Sequence, residues 1–158
     1  MSEGIRERLV GCWRLAGYDV TAVDGGRADR PLGDNPLETG HTDTVDSTSL
    51  HVPDLGLIVS GDVAYNHCHM YVAATTPGSR AEWIAALDKL AALSPAAVVT
   101  GHKDPTQGNP PSVLAESRGY IEYYGQLREA GVADQDLFDA MVTRYPDWVS
   151  RQQFLILG

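Results

Sequence analysis

From Leu50 onward, short apolar runs alternate with longer segments in which apolar residues recur every three or four positions. Residues 49–52 and 57–60 flank the turn sequence Pro-Asp-Leu-Gly, which predicts two short strands joined as a hairpin. The apolar run at residues 96–100 predicts a further strand of the kind that is buried in a central sheet.

Three segments have the periodicity of amphipathic helices: residues 80–93, a long segment from Pro110-Pro111 to about Arg128, and residues 134–145. For the first helix, Ser79 is the predicted N-cap and Glu82 the second member of a capping box. The order strand, strand, helix, strand, helix, helix is typical of an α/β layered domain.

The first 40 residues do not show the alternation of strands and helices predicted for the rest of the chain. Residues 3–10 predict one short helix, and residues 12–23, rich in Trp, Tyr and Val, predict a strand. Residues 27–40 contain several Pro, Gly, Asp and Asn residues and predict a loop. We therefore expect an N-terminal segment with a linker at residues 1–39 and a main domain at residues 40–158.

Composition narrows the classes of function. The 158 residues are 43% hydrophobic and 21% charged, as in an ordinary globular domain. The formal net charge of -9 argues against nucleic acid and anionic membrane surfaces as partners. Because no signal peptide and no membrane-spanning run is visible, we expect a cytoplasmic protein in which Cys12 and Cys68 are unconnected thiols.

Three short motifs place a metal-ligand side chain directly after a glycine: Gly40-His41, Gly61-Asp62 and Gly101-His102. Two of the three follow an apolar strand-like run, so a turn at the glycine would direct the next side chain into a cleft. Imidazole and carboxylate together suit zinc or a similar first-row metal. Asp43 and Asp46 are candidates for hydrogen bonding to a ligating histidine. For each of these residues the alternative is a solvated turn position.

In this order, these motifs resemble the later metal motifs of the metallo-β-lactamase superfamily. The resemblance extends from about Gly40 to about Trp148 and includes Asp46-Ser47-Thr48, Ser60-Gly61-Asp62-Val63, Tyr65-Asn66, His69 and Val98-Val99-Thr100-Gly101-His102. It implies an α/β fold that is half of an αβ/βα sandwich. It also implies that His41 completes a first metal site, that Asp62 bridges two metals as the catalytic carboxylate, and that His102 completes a second site.

The cofactor implied by the resemblance is zinc, with iron or manganese as alternatives. The implied reaction is attack of a metal-bound water on an ester, thioester, lactone or lactam. The implied partner is a small-molecule substrate, with His69, Lys103 and Asp104 as its binding candidates. The family's first motif, His-x-His-x-Asp-His, is absent from the sequence. Whether the remaining ligands hold a metal or are relics stays open at this point.

Half of a sandwich would leave one sheet face uncovered, and the two halves of the complete fold are related by a pseudo-twofold axis. We therefore predict a homodimer with twofold symmetry, in which a second copy stands in for the missing half. The alternative to a hydrolase is a non-catalytic module that binds a small molecule or a protein. In addition, residues 9–15, with Tyr18 and Pro31-Leu32-Gly33, resemble the opening of a lipocalin-like domain, which suggests a small-ligand binder as a third function.

Overall fold

The computed structural model of the chain describes residues 37–44, 47–152 and 156–157. The predicted helix at residues 3–10, the predicted strand at residues 12–23 and Asp46 lie outside the described residues. The described elements, in chain order, are β1 (Leu37–Gly40), β2 (Ser47–Val52), β3 (Leu57–Asn66), α1 (Pro77–Ala92), β4 (Ala97–Lys103), α2 (Val113–Glu129) and α3 (Asp134–Arg144).

The four strands form one sheet in the order β1-β2-β3-β4. The first three strands are antiparallel neighbours, whereas β3 and β4 are parallel and are connected through α1. The hairpin predicted between β2 and β3 is confirmed. Its turn is a single 3-10 turn, Pro53–Leu55, closed by Gly56 at a φ of 56°, a left-handed conformation that glycine adopts without strain.

Three buried hydrogen bonds, made by two side chains, fix the helices on the central strand β3. Trp83 of α1 is fully buried and its Nε1 donates to the backbone oxygen of Val63 at 2.8 Å. Ser117 of α2 is also fully buried, and its hydroxyl accepts from the N–H of Tyr65 at 3.0 Å and donates to the Tyr65 carbonyl at 3.1 Å. The layered α/β arrangement expected from the sequence is therefore confirmed.

Helix α1 begins one turn earlier than the sequence predicted. Its N-cap is Thr76, whose hydroxyl accepts from the Ser79 N–H at 3.1 Å, while the Ser79 hydroxyl accepts from the Thr76 N–H at 2.9 Å. The predicted capping box between Ser79 and Glu82 is wrong. Pro77 explains the earlier start, since proline has no N–H to leave unpaired in the first turn and its φ already suits a helix.

Two strand predictions also need correction. Strand β3 does not end at Ser60 but continues to Asn66, and Gly61, at a φ of 55°, produces a shift in its register with β4 instead of a turn. Strand β1 lies inside the segment predicted as a loop, where it pairs with β2 across a second register shift between Glu38 and Gly40. No helix among the described residues is both long enough and apolar enough to cross a bilayer.

Candidate functional site

Asp62 and His102 meet on the two parallel strands β3 and β4. His102 Nε2 lies 3.2 Å from Asp62 Oδ1, and both side chains are about half exposed, at 50% and 52%. Gly101 makes this approach possible, because a Cβ at that position would lie 2.5 Å from Asp62 Oδ1 and 3.1 Å from the carbonyl carbon of Gly61. Glycine at position 101 is therefore a steric requirement of the pair.

The register of the sheet brings two further groups to this pair. Tyr65 is opposite His102 in the pairing of β3 with β4, and their rings stack with centroids 4.6 Å apart. Burial raises the pKa of Asp43, and the neighbouring Asp62 carboxylate raises it further, while a hydrogen bond from Thr42 and the nearby His102 oppose the change. Burial raises the pKa of Tyr65, and the charges of Asp43 and Asp62 act in the same direction.

A cleft of about 380 Å³ opens beside the Asp62–His102 pair. It is lined by Asp43, Tyr65, Cys68, His69, Tyr71, His102, Ser150 and Gln152. A cleft of this size with aromatic walls and a few polar groups has the character of a small-molecule site.

His69, a substrate-binding candidate from the sequence, is on the wall of this cleft and has no exposed surface. Its Nδ1 is 3.0 Å from the hydroxyl of Tyr120, and its Nε2 has no hydrogen-bond partner among the described residues. Burial, assisted by the positive charge of Arg151, lowers the pKa of His69 to about 4. The imidazole is therefore neutral at pH 7.

The other predicted site residues have partners elsewhere. His41 Nδ1 is 3.5 Å from Glu82 Oε2 of α1, and Lys103 Nζ donates to Asn109 Oδ1 at 2.8 Å. Asp104 accepts from the N–H and the hydroxyl of Thr106 at 2.9 and 2.8 Å, which lowers the pKa of Asp104. The structure thus brings Asp43 and His102 into the cleft wall with His69 and pairs His102 with Asp62, whereas His41, Lys103 and Asp104 do not line the cleft.

The described residues do not fit a complete metal centre by themselves. A catalytic zinc site normally takes three protein ligands. Within the described part of the chain, no group of three or more His, Cys, Asp or Glu side chains is placed to hold a metal ion. Asp62 and His102 supply two ligand types side by side, whereas the ring of His41 faces Glu82.

Sequence reasoning missed five of the residues that line the cleft: Tyr65, Cys68, Tyr71, Ser150 and Gln152. Tyr65 could be found only from the register of β3 with β4. Ser150 and Gln152 reach the cleft because the segment before them pairs with a segment far away in the sequence. In this contact the N–H of His69 donates to the carbonyl of Val149 at 2.9 Å. No local pattern signals such a contact. Cys68, expected as a buried thiol, is buried, and its pKa is raised by that burial.

The sequence of the chain matches a known protein family. A family model described as the metallo-beta-lactamase superfamily matches residues 13–102, which is more than half of the chain. The chain belongs to the metallo-beta-lactamase superfamily. The family match includes Asp62 and ends at His102, the two residues that the structure pairs. It begins inside the N-terminal segment, and the lipocalin-like resemblance of that segment receives no support.

The fold has a counterpart among solved structures. A metallo-beta-lactamase family protein from Thermus thermophilus superposes with a TM-score of 0.53 at 16% sequence identity, over 77% of this chain and 42% of that protein. The chain thus spans less than half the length of this structural relative. At this identity the likeness shows the fold alone, which agrees with the predicted partial metallo-β-lactamase sandwich. A search of curated protein sequences gives no match.

Proposed function

We propose that this protein is a hydrolase that acts on a small ester, thioester, lactone or lactam bound in the cleft. The observation that carries the proposal is the Asp62–His102 pair, which is open to solvent on the edge of a cleft that His102 itself lines. Membership of a superfamily that includes hydrolases supports it. An imidazole held by a carboxylate is also the side-chain arrangement best suited to proton transfer near neutral pH.

Because members of the superfamily usually bind metal ions, we expect zinc as the cofactor, with iron or manganese as alternatives. Asp62 and His102 would be two of the ligands, and at least one more is required. We propose that a second copy of the chain, in a homodimer with twofold symmetry, supplies it. The cleft residues of this chain would bind the substrate and orient it toward the pair.

The test is hydrolysis of small uncharged substrates by protein purified without chelator. S-phenyl thioacetate, phenyl acetate and δ-valerolactone sample three of the proposed classes, and elemental analysis of the same protein measures bound metal. Asp62→Asn should lower turnover by about 100-fold or more, in the range expected for a lost catalytic group. The matched control is His51→Ala on β2, which changes a half-buried histidine that does not line the cleft.

The outcomes are distinct. Near-stoichiometric metal that is lost together with turnover in Asp62→Asn supports a metal-dependent hydrolase. Turnover without metal assigns the proton transfer to the Asp62–His102 pair alone. No turnover of any of the three substrates, by protein that contains metal or has been supplied with it, contradicts the proposed function.

A second candidate function is a non-catalytic module that binds a small molecule. The observation that favours it is that His102 and His41 each face a carboxylate, Asp62 and Glu82, so both imidazoles already have partners. Saturable binding of an uncharged ester that is recovered intact would favour this module over the hydrolase.

A further inference from the structure

The hydrogen bond between Tyr120 and His69 determines which nitrogen of the imidazole carries the proton. Tyr120 is fully buried, and this burial raises its pKa, so the phenol keeps its proton at pH 7. A buried phenol proton needs an acceptor, and His69 Nδ1 lies 3.0 Å from the Tyr120 hydroxyl oxygen. With Nδ1 as that acceptor, the proton of the neutral ring is on Nε2.

The Nε2–H of His69 is a buried donor without a partner. No group among the described residues accepts from it, although His69 has no exposed surface. A buried donor left unpaired is costly, and such groups in native proteins have a partner supplied by the protein, by water or by a ligand. Tyr120 is the hydrogen-bond partner of the Nδ1 atom of His69, so it is not available to Nε2. His69 also lines the cleft, so a ligand bound in the cleft is a candidate partner for Nε2.

The charges around the cleft restrict the kind of acceptor. Asp43 is in its wall, next to Asp62, and no lysine or arginine is among the residues that line the described cleft. Arg151, whose positive charge acts on His69, donates from its Nε to the carbonyl of Trp148 at 3.3 Å. A carboxylate or phosphate would meet like charge here, whereas an uncharged carbonyl would not.

We propose that His69 Nε2–H donates to the carbonyl oxygen of an uncharged ligand, so that the cleft selects neutral carbonyl compounds and rejects carboxylates and phosphates. The inference rests on the proposed function only in that the same cleft holds the substrate. The rings of Tyr65 and Tyr71, both in the cleft wall, would contact the apolar part of such a ligand.

The test is binding of benzamide and benzoate, which match in size and shape but differ in charge. Neither is consumed by hydrolysis on the timescale of a titration, so the measurement is independent of turnover. In nitrogen-15 NMR of the full chain, we expect the His69 ring to be the Nε2–H tautomer and its Nε2 signal to shift with benzamide. Benzoate should bind at least tenfold more weakly than benzamide.

Two variants separate the donor from the shape of the side chain. His69→Phe removes the donor and should weaken benzamide binding by roughly tenfold, the effect of one lost hydrogen bond at a buried site. His69→Gln keeps an N–H near the position of Nε2 and should restore part of the affinity. His51→Gln, a change outside the cleft, should leave binding unchanged.

Four results would overturn the proposal: an Nδ1–H tautomer, no benzamide binding, equal affinity for benzoate, or unchanged affinity in a folded His69→Phe. The tautomer is measured on the unmodified protein, so the proposal stays testable if His69→Phe does not fold. Benzamide binding without any hydrolysis would contradict only the proposed function. Hydrolysis without selective benzamide binding would contradict only this inference.

Discussion

Gly101 lies closer to Asp62 than any residue with a side chain could. A Cβ at that position would meet Asp62 Oδ1 at 2.5 Å, so Gly101→Ala must displace the carboxylate from His102. We expect the substitution to reduce the free energy of unfolding by about 1–3 kcal/mol and to reduce turnover strongly. Denaturant titration and a rate assay on the same preparation measure both effects.

The matched control is Gly119→Ala in helix α2, where a Cβ would meet nothing within 4 Å. Alanine at that position should be neutral or should stabilise the helix by roughly 0.5–1 kcal/mol. Turnover at the wild-type rate in Gly101→Ala would show that the Asp62–His102 geometry is not needed for function.

His69 should make the stability of the protein depend on pH. Its pKa is about 4 in the folded protein and 6.5 in an unfolded chain, so the unfolded state binds the extra proton between these values. Stability should therefore be lost as the pH falls from 6.5 toward 4, by roughly 2–3 kcal/mol from this residue. Urea denaturation across that range measures the slope, and His69→Phe should reduce it. An identical slope in the variant would contradict the burial of a neutral imidazole.

At the residue scale, the sequence predicted the types of side chain in the site better than their partners. Asp62 and His102 were both candidates, and the structure brings them within 3.2 Å. His41 was their third candidate partner, but its ring is 3.5 Å from Glu82 of α1. A motif specifies which side chain follows a glycine. The direction of that side chain depends on its contacts with helices that lie further along the sequence, as Glu82 of α1 does for His41.

At the scale of elements, Ser117 connects helix α2 to strand β3. Its hydroxyl pairs with both backbone groups of Tyr65, at 3.0 and 3.1 Å, at a point where the strand has left its regular register. Ser117→Ala would leave a buried N–H and a buried carbonyl unpaired, and we expect it to reduce the free energy of unfolding by about 2–3 kcal/mol. Thermal or denaturant unfolding of the purified variant measures this.

Ser112→Ala is the control for that prediction. Ser112 precedes the same helix, is exposed and makes no side-chain capping hydrogen bond, so its loss should change stability by less than about 0.5 kcal/mol. Equal effects of the two substitutions would show that the contact between Ser117 and Tyr65 does not stabilise the fold.

Periodicity predicted the elements that bury one regular face. The β2–β3 hairpin, strand β4 and the three helices all occur, because their apolar spacing matches the face that each one buries. The continuation of β3 from Gly61 to Asn66 was missed, since its burial depends on α1 and α2, which lie far along the chain. Tertiary contacts of this kind leave no local signal in the sequence.

For the whole molecule, the proposed dimer leads to a prediction about assembly. The match covers 42% of the Thermus protein, and the proposal is that a second copy of this chain takes the place of the remainder. Light scattering of the purified chain should give twice the mass of 17.1 kDa at micromolar concentration. A strictly monomeric protein with full turnover would contradict the proposal that a second copy completes the site.

The central claim is that the cleft beside Asp62 and His102 is a hydrolytic site, and one rate comparison tests it most directly. The initial rate of S-phenyl thioacetate hydrolysis is measured for wild type, His102→Ala and the control His51→Ala, each confirmed as folded. The account predicts a measurable wild-type rate, a loss of about 100-fold or more in His102→Ala, and no change in His51→Ala. Equal rates in all three proteins would contradict it.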